Sequence, residues 1–142
     1  MTIGAILEAK GCQVIDVAAG TRVGDALAIL ADKRIGALPV TEGGAVVGVF
    51  SERDLVYGLA REGAALLDRA VAEVMTAPAV TVDTKLAVLA ALGLMTKRRL
   101  RHLPVVEGGA LIGLVSIGDL VKMRIDRIEA EAASMRDYIQ QA

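Results

Sequence analysis

Apolar residues along this chain fall into short runs and helical stripes that occur twice in the same order. Val14-Ile15 reads as a short strand. Val23, Ala26, Leu27 and Leu30 follow at helical spacing, which predicts a helix over about residues 22–33 with Thr21 as its N-cap. Leu38 to Val40 and Ala45 to Phe50 are apolar runs parted by Glu42-Gly43-Gly44, where glycine supplies the positive φ of a tight hairpin. Ser51 then caps a second helix running towards Ala60. The order returns later as a strand at Ala79 to Val82, a helix near Leu86 to Lys97, a hairpin about Glu107-Gly108-Gly109 and a helix from Ser116.

The two passes share one register. Pro39 and Pro104, Gly48 and Gly113, Ser51 and Ser116, and Asp54 and Asp119 are each 65 residues apart. Leu38-Pro39-Val40 matches Leu103-Pro104-Val105 at the same offset, and Val17 and Val23 match Val82 and Val88. A tandem duplication of a β-α-β-β-α unit follows. The expected fold class is α+β, with two repeats in a pseudo-two-fold arrangement, residues 1–66 forming the first with an N-terminal helix and residues 67–142 the second. The hairpin strands are apolar on both faces, which suits a sheet covered by helices and buried against a neighbour. One unit of this size would bury too little surface alone. In the linker, Glu62-Gly63 reads as a break and residues 68–74 as a short helix that ends before Pro78. Thr2 is expected to cap a helix that lays Ile3 and Leu7 across the sheet of a repeat.

The last helix is expected to outrun its repeat. Ile117, Val121, Ile125, Ile128, Ala132, Met135 and Ile139 recur at steps of three and four, while Lys122, Arg124, Asp126, Arg127, Glu129, Glu131 and Arg136 keep the other face wet. Two readings stand for that stripe, closure of the chain's own core or a dimer seam. Its regular part is too short for a coiled coil.

Composition narrows the classes of function. Hydrophobic residues are 54% of 142, yet Leu86 to Thr96, the best uncharged apolar stretch, falls short of the roughly 18–20 residues a membrane span requires. The N-terminal residues are interrupted by Glu8 and Lys10 and do not resemble a targeting peptide, so a cytoplasmic location is expected. Sixteen basic and 17 acidic residues leave a net charge of −1, which gives no global attraction to nucleic acid. A single Cys12 excludes an internal disulfide and a thiolate metal cluster, and 2% aromatic residues leave little for base stacking.

The candidate chemistry sits where each repeat runs from strand into helix, Gly48-Val49-Phe50-Ser51-Glu52-Arg53-Asp54-Leu55 and Gly113-Leu114-Val115-Ser116-Ile117-Gly118-Asp119-Leu120. Ser followed three residues on by Asp is the pattern of a capping box. Its recurrence after a Gly-initiated apolar strand favours a second role. A helix N-terminus offers N–H groups and a positive dipole end to a phosphate, Ser51 and Ser116 add hydroxyls, and the carboxylates of Asp54 and Asp119 can accept both hydroxyls of a ribose.

Two copies of β-α-β-β-α, with Leu-Pro-Val before the hairpin and Gly-x-x-Ser-x-x-Asp after it, closely resemble a tandem pair of cystathionine-β-synthase (CBS) domains, the Bateman module. The resemblance covers nearly the whole chain and extends to the small stand-alone CBS-pair proteins. It implies a disc with two pseudo-symmetric clefts for adenine nucleotides, AMP first among them, and a homodimer of two discs. Carried over by residue, Asp54 and Asp119 become ribose ligands and Ser51 and Ser116 phosphate neighbours. The adenine edge falls to backbone at Ala18, Gly36 and Ala37 in repeat 1 and at Thr81, Arg101 and His102 in repeat 2.

The copies differ in charge. Arg53 has Gly118 as its counterpart, while Arg101 and His102 stand opposite Gly36 and Ala37, so two unequal sites are predicted, with Arg53, Arg101 and His102 brought to one cleft by a head-to-head pairing. His102 is the lone histidine, and nothing places it as a base for either Ser, so no enzyme activity is expected. No spacing of His, Cys and Asp resembles a metal site. The run Lys97-Arg98-Arg99 with Arg101 reads as a solvated helix end, or else as a phosphate or nucleic-acid contact. The expected function is a non-enzymatic adenine-nucleotide sensor that needs no cofactor beyond its ligand and acts on a separate protein. The alternatives are a structural interaction module without ligand and a nucleic-acid-binding protein.

Overall fold

A computed structural model describes residues 1–11 and 13–141, so Cys12 lies outside the described residues. The order is α1 (Ile3–Lys10), β1 (Val17–Ala18), α2 (Val23–Lys33), β2 (Ala37–Glu42), β3 (Ala45–Ser51), α3 (Glu52–Glu62), α4 (Val88–Arg98), β4 (His102–Glu107), β5 (Ala110–Ser116) and α5 (Ile117–Gln141). Every second-repeat bound from α4 to β5 equals its first-repeat counterpart moved by the 65-residue offset. The duplication extends to irregularities. Gly43-Gly44 and Gly108-Gly109 turn the hairpins with positive φ, both hairpins carry a register shift after Val40 or Val105, and α2 and α4 end on left-handed Arg34 and Arg99, each at φ 54°. The fold is mixed α+β with two small sheets and a long C-terminal helix.

The first strand of each repeat is shorter and later than its apolar run suggests. Val14-Ile15 is unpaired, and β1 pairs Val17 with Val40 and Ala18 with Thr41 in parallel. In repeat 2 the expected strand at Ala79 to Val82 reduces to one bridge between Val82 and Val105. Thr21 is not the cap of α2 either. Arg22 occupies that position without a side-chain bond, and the amide of Val23 is satisfied by the carbonyl of Arg69 at 2.9 Å.

The linker holds two 3-10 turns, Gly63–Asp68 and Val71–Glu73, in place of the expected short helix. Its amides are drawn to repeat 1, Val71 to the Thr21 carbonyl at 2.7 Å, Ala72 to Ala19 at 3.0 Å and Thr76 to Val49 at 2.9 Å. These tertiary bonds take the donors an α-helix would use internally.

Two apolar cores result. Val17, Val23, Ala26, Leu30, Leu38, Val40 and Phe50 of repeat 1 enclose Leu66 and Val71 of the linker. In repeat 2, Val82, Val88, Ala91, Met95, Leu103, Val105, Val115 and Leu120 enclose Ile3, Ile6 and Leu7 of α1. In packing, therefore, the N-terminal helix sits with repeat 2, while the linker sits with repeat 1. Thr2 caps α1 as expected. Two glycines at the same repeat position permit these contacts: a Cβ on Gly48 would lie 2.5 Å from Met75 Sδ and 2.8 Å from the Thr76 carbonyl, and one on Gly113 would lie 2.6 Å from Leu7 Cδ2.

Along α5 only Leu120 is buried and Met123 is half-buried. The stripe from Ile117 to Ile139 does not close the chain's own core, since Ile125, Ile128, Met135 and Ile139 are 48–65% exposed. No helix among the described residues is long and apolar enough to cross a membrane.

Candidate functional site

Both strand–helix junctions form reciprocal caps. The Ser51 amide donates to Asp54 Oδ2 at 2.9 Å, and the Asp54 amide donates to Ser51 Oγ at 3.4 Å. The Ser116 amide donates to Asp119 Oδ2 at 2.8 Å, and the Asp119 amide to Ser116 Oγ at 3.1 Å. A second amide of each first turn is also taken, Glu52 by the carbonyl of Gly36 at 3.0 Å and Ile117 by that of Arg101 at 2.8 Å. The helix ends thus hold fewer open N–H groups than an uncapped terminus presents. Side chains around them must supply most of any anion contact.

Two clefts flank the hairpins, and each draws on both repeats. Cleft 1, about 400 Å³, joins Val49, Ser51, Glu52 and Arg53 of repeat 1 to Pro78-Ala79-Val80 and residues 98–102 of the second half. Cleft 2, about 350 Å³, joins Leu114, Ser116 and Asp119 to Gln13-Val14-Ile15 and residues 34–37 of the first half. Both volumes suit a small ligand. The clefts correspond at the 65-residue offset: Val14-Ile15 matches Ala79-Val80, and Arg34-Ile35-Gly36-Ala37 matches Arg99-Leu100-Arg101-His102. Gly36 and His102 line both, and a Cβ on Gly36 would lie 3.3 Å from His102 Cε1. This pair is the partition between the clefts.

The structure groups the expected residues across repeats instead of within them. Gly36-Ala37 line the cleft that contains Asp119, and Arg101-His102 line the one beside Ser51 and Arg53. Arg53, Arg101 and His102 meet in one cleft, to which both repeats of a single chain contribute. Asp54 stands just behind cleft 1, where the lining residue Thr76 donates to its Oδ1 at 2.9 Å. Ala18 and Thr81 are exposed and line neither cleft, because the chain reaches the clefts a few residues earlier, at Val14-Ile15 and Ala79-Val80. Lys10, Arg34 and Thr76 are additions that the repeat pattern did not mark.

The two carboxylates have different partners. Lys10 Nζ lies 2.7 Å from Asp119 Oδ2 and also donates to the Leu114 carbonyl at 2.9 Å. Burial pushes the Asp119 carboxyl up, but the Lys10 and Ser116 hydrogen bonds outweigh it and hold the group below the usual carboxylate range. The residue matching Lys10 at the repeat offset is Met75, so Asp54 has the neutral Thr76 hydroxyl and no lysine. Burial lowers the proton affinity of His102, with Lys10 and Arg101 adding to that effect and Glu52 and Asp119 opposing it.

A pair of nucleotide-sized clefts between duplicated β-α-β-β-α units defines the class, and the CBS domain family matches residues 12–61 and 71–126. The chain belongs to that family. It is 34% identical over 121 residues to the mitochondrial CBS domain-containing protein CBSX3 of Arabidopsis thaliana, covering 82% of this chain and 59% of that protein. The crystal structure of the CBS-domain containing protein ATU1752 from Agrobacterium tumefaciens superposes with a TM-score of 0.84 at 39% identity, over 87% of this chain and 99% of that one. CBSX2, solved in complex with AMP, gives 0.73 at 28% identity over 88% and 96% of the two chains.

Proposed function

We propose that this CBS pair is a non-enzymatic regulatory module that binds an adenosyl ligand and alters its own disposition towards a separate partner protein. The observation that carries the reading is that each cleft is built from both repeats. A ligand seated there bridges the two units and stabilises whichever arrangement it contacts best, within the limit of its differential affinity. The AMP bound by CBSX2 supports an adenine nucleotide, with AMP the first to test.

In this reading Asp119 receives ribose hydroxyls in cleft 2, and Asp54, just behind cleft 1, does so when Thr76 gives up its Oδ1. Asp119 Oδ1 accepts no hydrogen bond among the described residues, and Oδ2 becomes available if Lys10 turns away. Ser51 and Ser116 adjoin the phosphates. The backbone at Gly36-Ala37 meets the adenine edge in the cleft of Asp119, and that at Arg101-His102 meets it in the other. The exposed stripe of α5 supports a homodimer.

A thermal-shift series with adenosine, AMP, ATP and S-adenosylmethionine tests the reading, because a ligand that binds only the native state raises its melting temperature. Calorimetry should then show Asp119→Ala and Asp54→Ala weakening binding on the order of tenfold or more, the effect of losing a charged hydrogen bond. Both variants should still melt cooperatively. A chain whose melting no adenosyl ligand shifts is not this module.

A further inference from the structure

Resting on the adenosyl reading, we propose that cleft 1 takes an adenosine ligand carrying two or more phosphates, while cleft 2 takes one carrying at most a single phosphate. Four arginines, Arg53, Arg98, Arg99 and Arg101, line cleft 1 against one acidic residue, Glu52. Among the described residues none of the four lies within ion-pair distance of a carboxylate. Among the described residues their guanidinium groups make one hydrogen bond, from Arg53 Nη1 to the carbonyl of Arg99 at 3.2 Å, which draws the Arg53 side chain across the cleft from one repeat to the other.

A helix C-terminus accounts for part of this charge and not the rest. Arg98 lies in the last turn of α4 and Arg99 caps it, where the dipole favours cations. Arg101 is beyond the helix, and Arg53 is in the first turn of α3, where the dipole disfavours a cation. Four like charges gathered against a single carboxylate repel, and a polyphosphate chain removes that repulsion while accepting paired guanidinium hydrogen bonds. With most first-turn amides already bonded, these side chains are the available anion donors. The concave shape favours a small polyanion over a nucleic-acid strand, whose backbone needs an extended basic face.

Cleft 2 carries far less unpaired charge. Its Lys10 is neutralised by Asp119 at 2.7 Å, which leaves Arg34 as the cation without a carboxylate partner among the described residues. A triphosphate there meets one guanidinium and the Asp119 carboxylate.

The test is calorimetry on the full chain with adenosine, AMP, ADP, ATP and inorganic tripolyphosphate at two salt concentrations. For the parent, one site should gain about tenfold or more from AMP to ATP, the scale of one added charged hydrogen bond, and the gain should shrink in high salt. Tripolyphosphate should compete for that site. In the double variant Arg53→Ala with Arg101→Ala the gain from AMP to ATP, read as a ratio of affinities within that one variant, should disappear. Arg99→Gly, which suits the left-handed backbone there, should reduce the gain without loss of folding. Arg34→Ala should leave it intact. Adenosine binding with no gain from added phosphates overturns this inference and leaves the adenosyl reading standing, whereas failure of every adenosyl ligand overturns both. A gain retained by the double variant, or displacement of ATP by an oligothymidylate at matched phosphate concentration, also overturns it.

Discussion

Cleft 1 and cleft 2 are cut from one duplicated pattern, yet the segment that completes each has diverged. At cleft 2 the completing segment is α1, a regular helix whose last residue, Lys10, reaches Asp119. At cleft 1 it is the linker, whose 3-10 turns are followed by Met75 and Thr76. Asp119 therefore sits in an ion pair and Asp54 in a neutral hydrogen bond. Duplication preserves the backbone, down to left-handed Arg34 and Arg99, while exchange of a few side chains sets the charge each cleft presents. The difference teaches that a repeat's geometry and its ligand preference can be altered separately.

Substitutions at three places test how far the halves are equivalent, and the largest effect is in the cores. Phe50 is fully buried in repeat 1, and its counterpart is the smaller Val115. Phe50→Ala should cost about 3–5 kcal/mol in urea unfolding, and Val115→Ala less, because fewer buried atoms are removed. A single transition in both variants would show that the halves unfold together. Two separated transitions would show that they do not.

The glycine pair comes next. Gly48→Ala meets Met75 Sδ at 2.5 Å and the Thr76 backbone carbonyl at 2.8 Å, whereas Gly113→Ala meets only the Leu7 side chain, at 2.6 Å. Overpacking of this kind costs about 1–3 kcal/mol. Gly48→Ala should be the worse of the two, since Leu7 can turn and a hydrogen-bonded backbone cannot. Equal losses in chemical denaturation would refute that ranking.

The smallest effect concerns Lys10→Met, which gives α1 the residue that the linker carries. The Lys10–Asp119 pair is part-exposed, 38% and 27%, so its loss should cost about 0–1 kcal/mol at neutral pH. The Asp119 carboxyl has a depressed folded value, so its contribution is present above the ordinary carboxylate value of about 3.9 and disappears as pH falls through the folded one. The acid limb of the stability curve should be shallower in Lys10→Met. A variant whose acid limb matches the parent's would remove the ion pair from the account.

Much of the fold was legible because identical residues recur at one offset. Pro39 and Pro104 fixed the register, and the paired glycines fixed the hairpins. The cross-repeat construction of the clefts was legible only for Arg53, Arg101 and His102, since nothing in Gly36-Ala37 says that it will face Ser116 and Asp119 in addition to its own Ser51. That pairing is decided by which apolar surface covers which. Lys10 escaped notice for a related reason, as its repeat counterpart Met75 shares no chemistry with it. The apolar pair Val14-Ile15 looked like a strand and became a cleft wall, because β1 finds its parallel partners only from Val17 onward. The linker's 3-10 turns depend on carbonyls at Ala19, Thr21 and Val49, which lie far away in sequence.

The placement of α1 has a consequence for synthesis of the chain. This helix leaves the ribosome ahead of both repeats, yet the side chain it pairs with, Asp119, comes 109 residues after Lys10. At roughly 5–20 residues per second, Lys10 waits about 5–20 s for that partner. During that interval repeat 1 can gather its core from its own residues and the emerging linker, while the core neighbours of Ile3, Ile6 and Leu7 begin to emerge only at Val82. The docking of α1 therefore waits for repeat 2 to emerge, and it brings Lys10 to Asp119 at the wall of cleft 2.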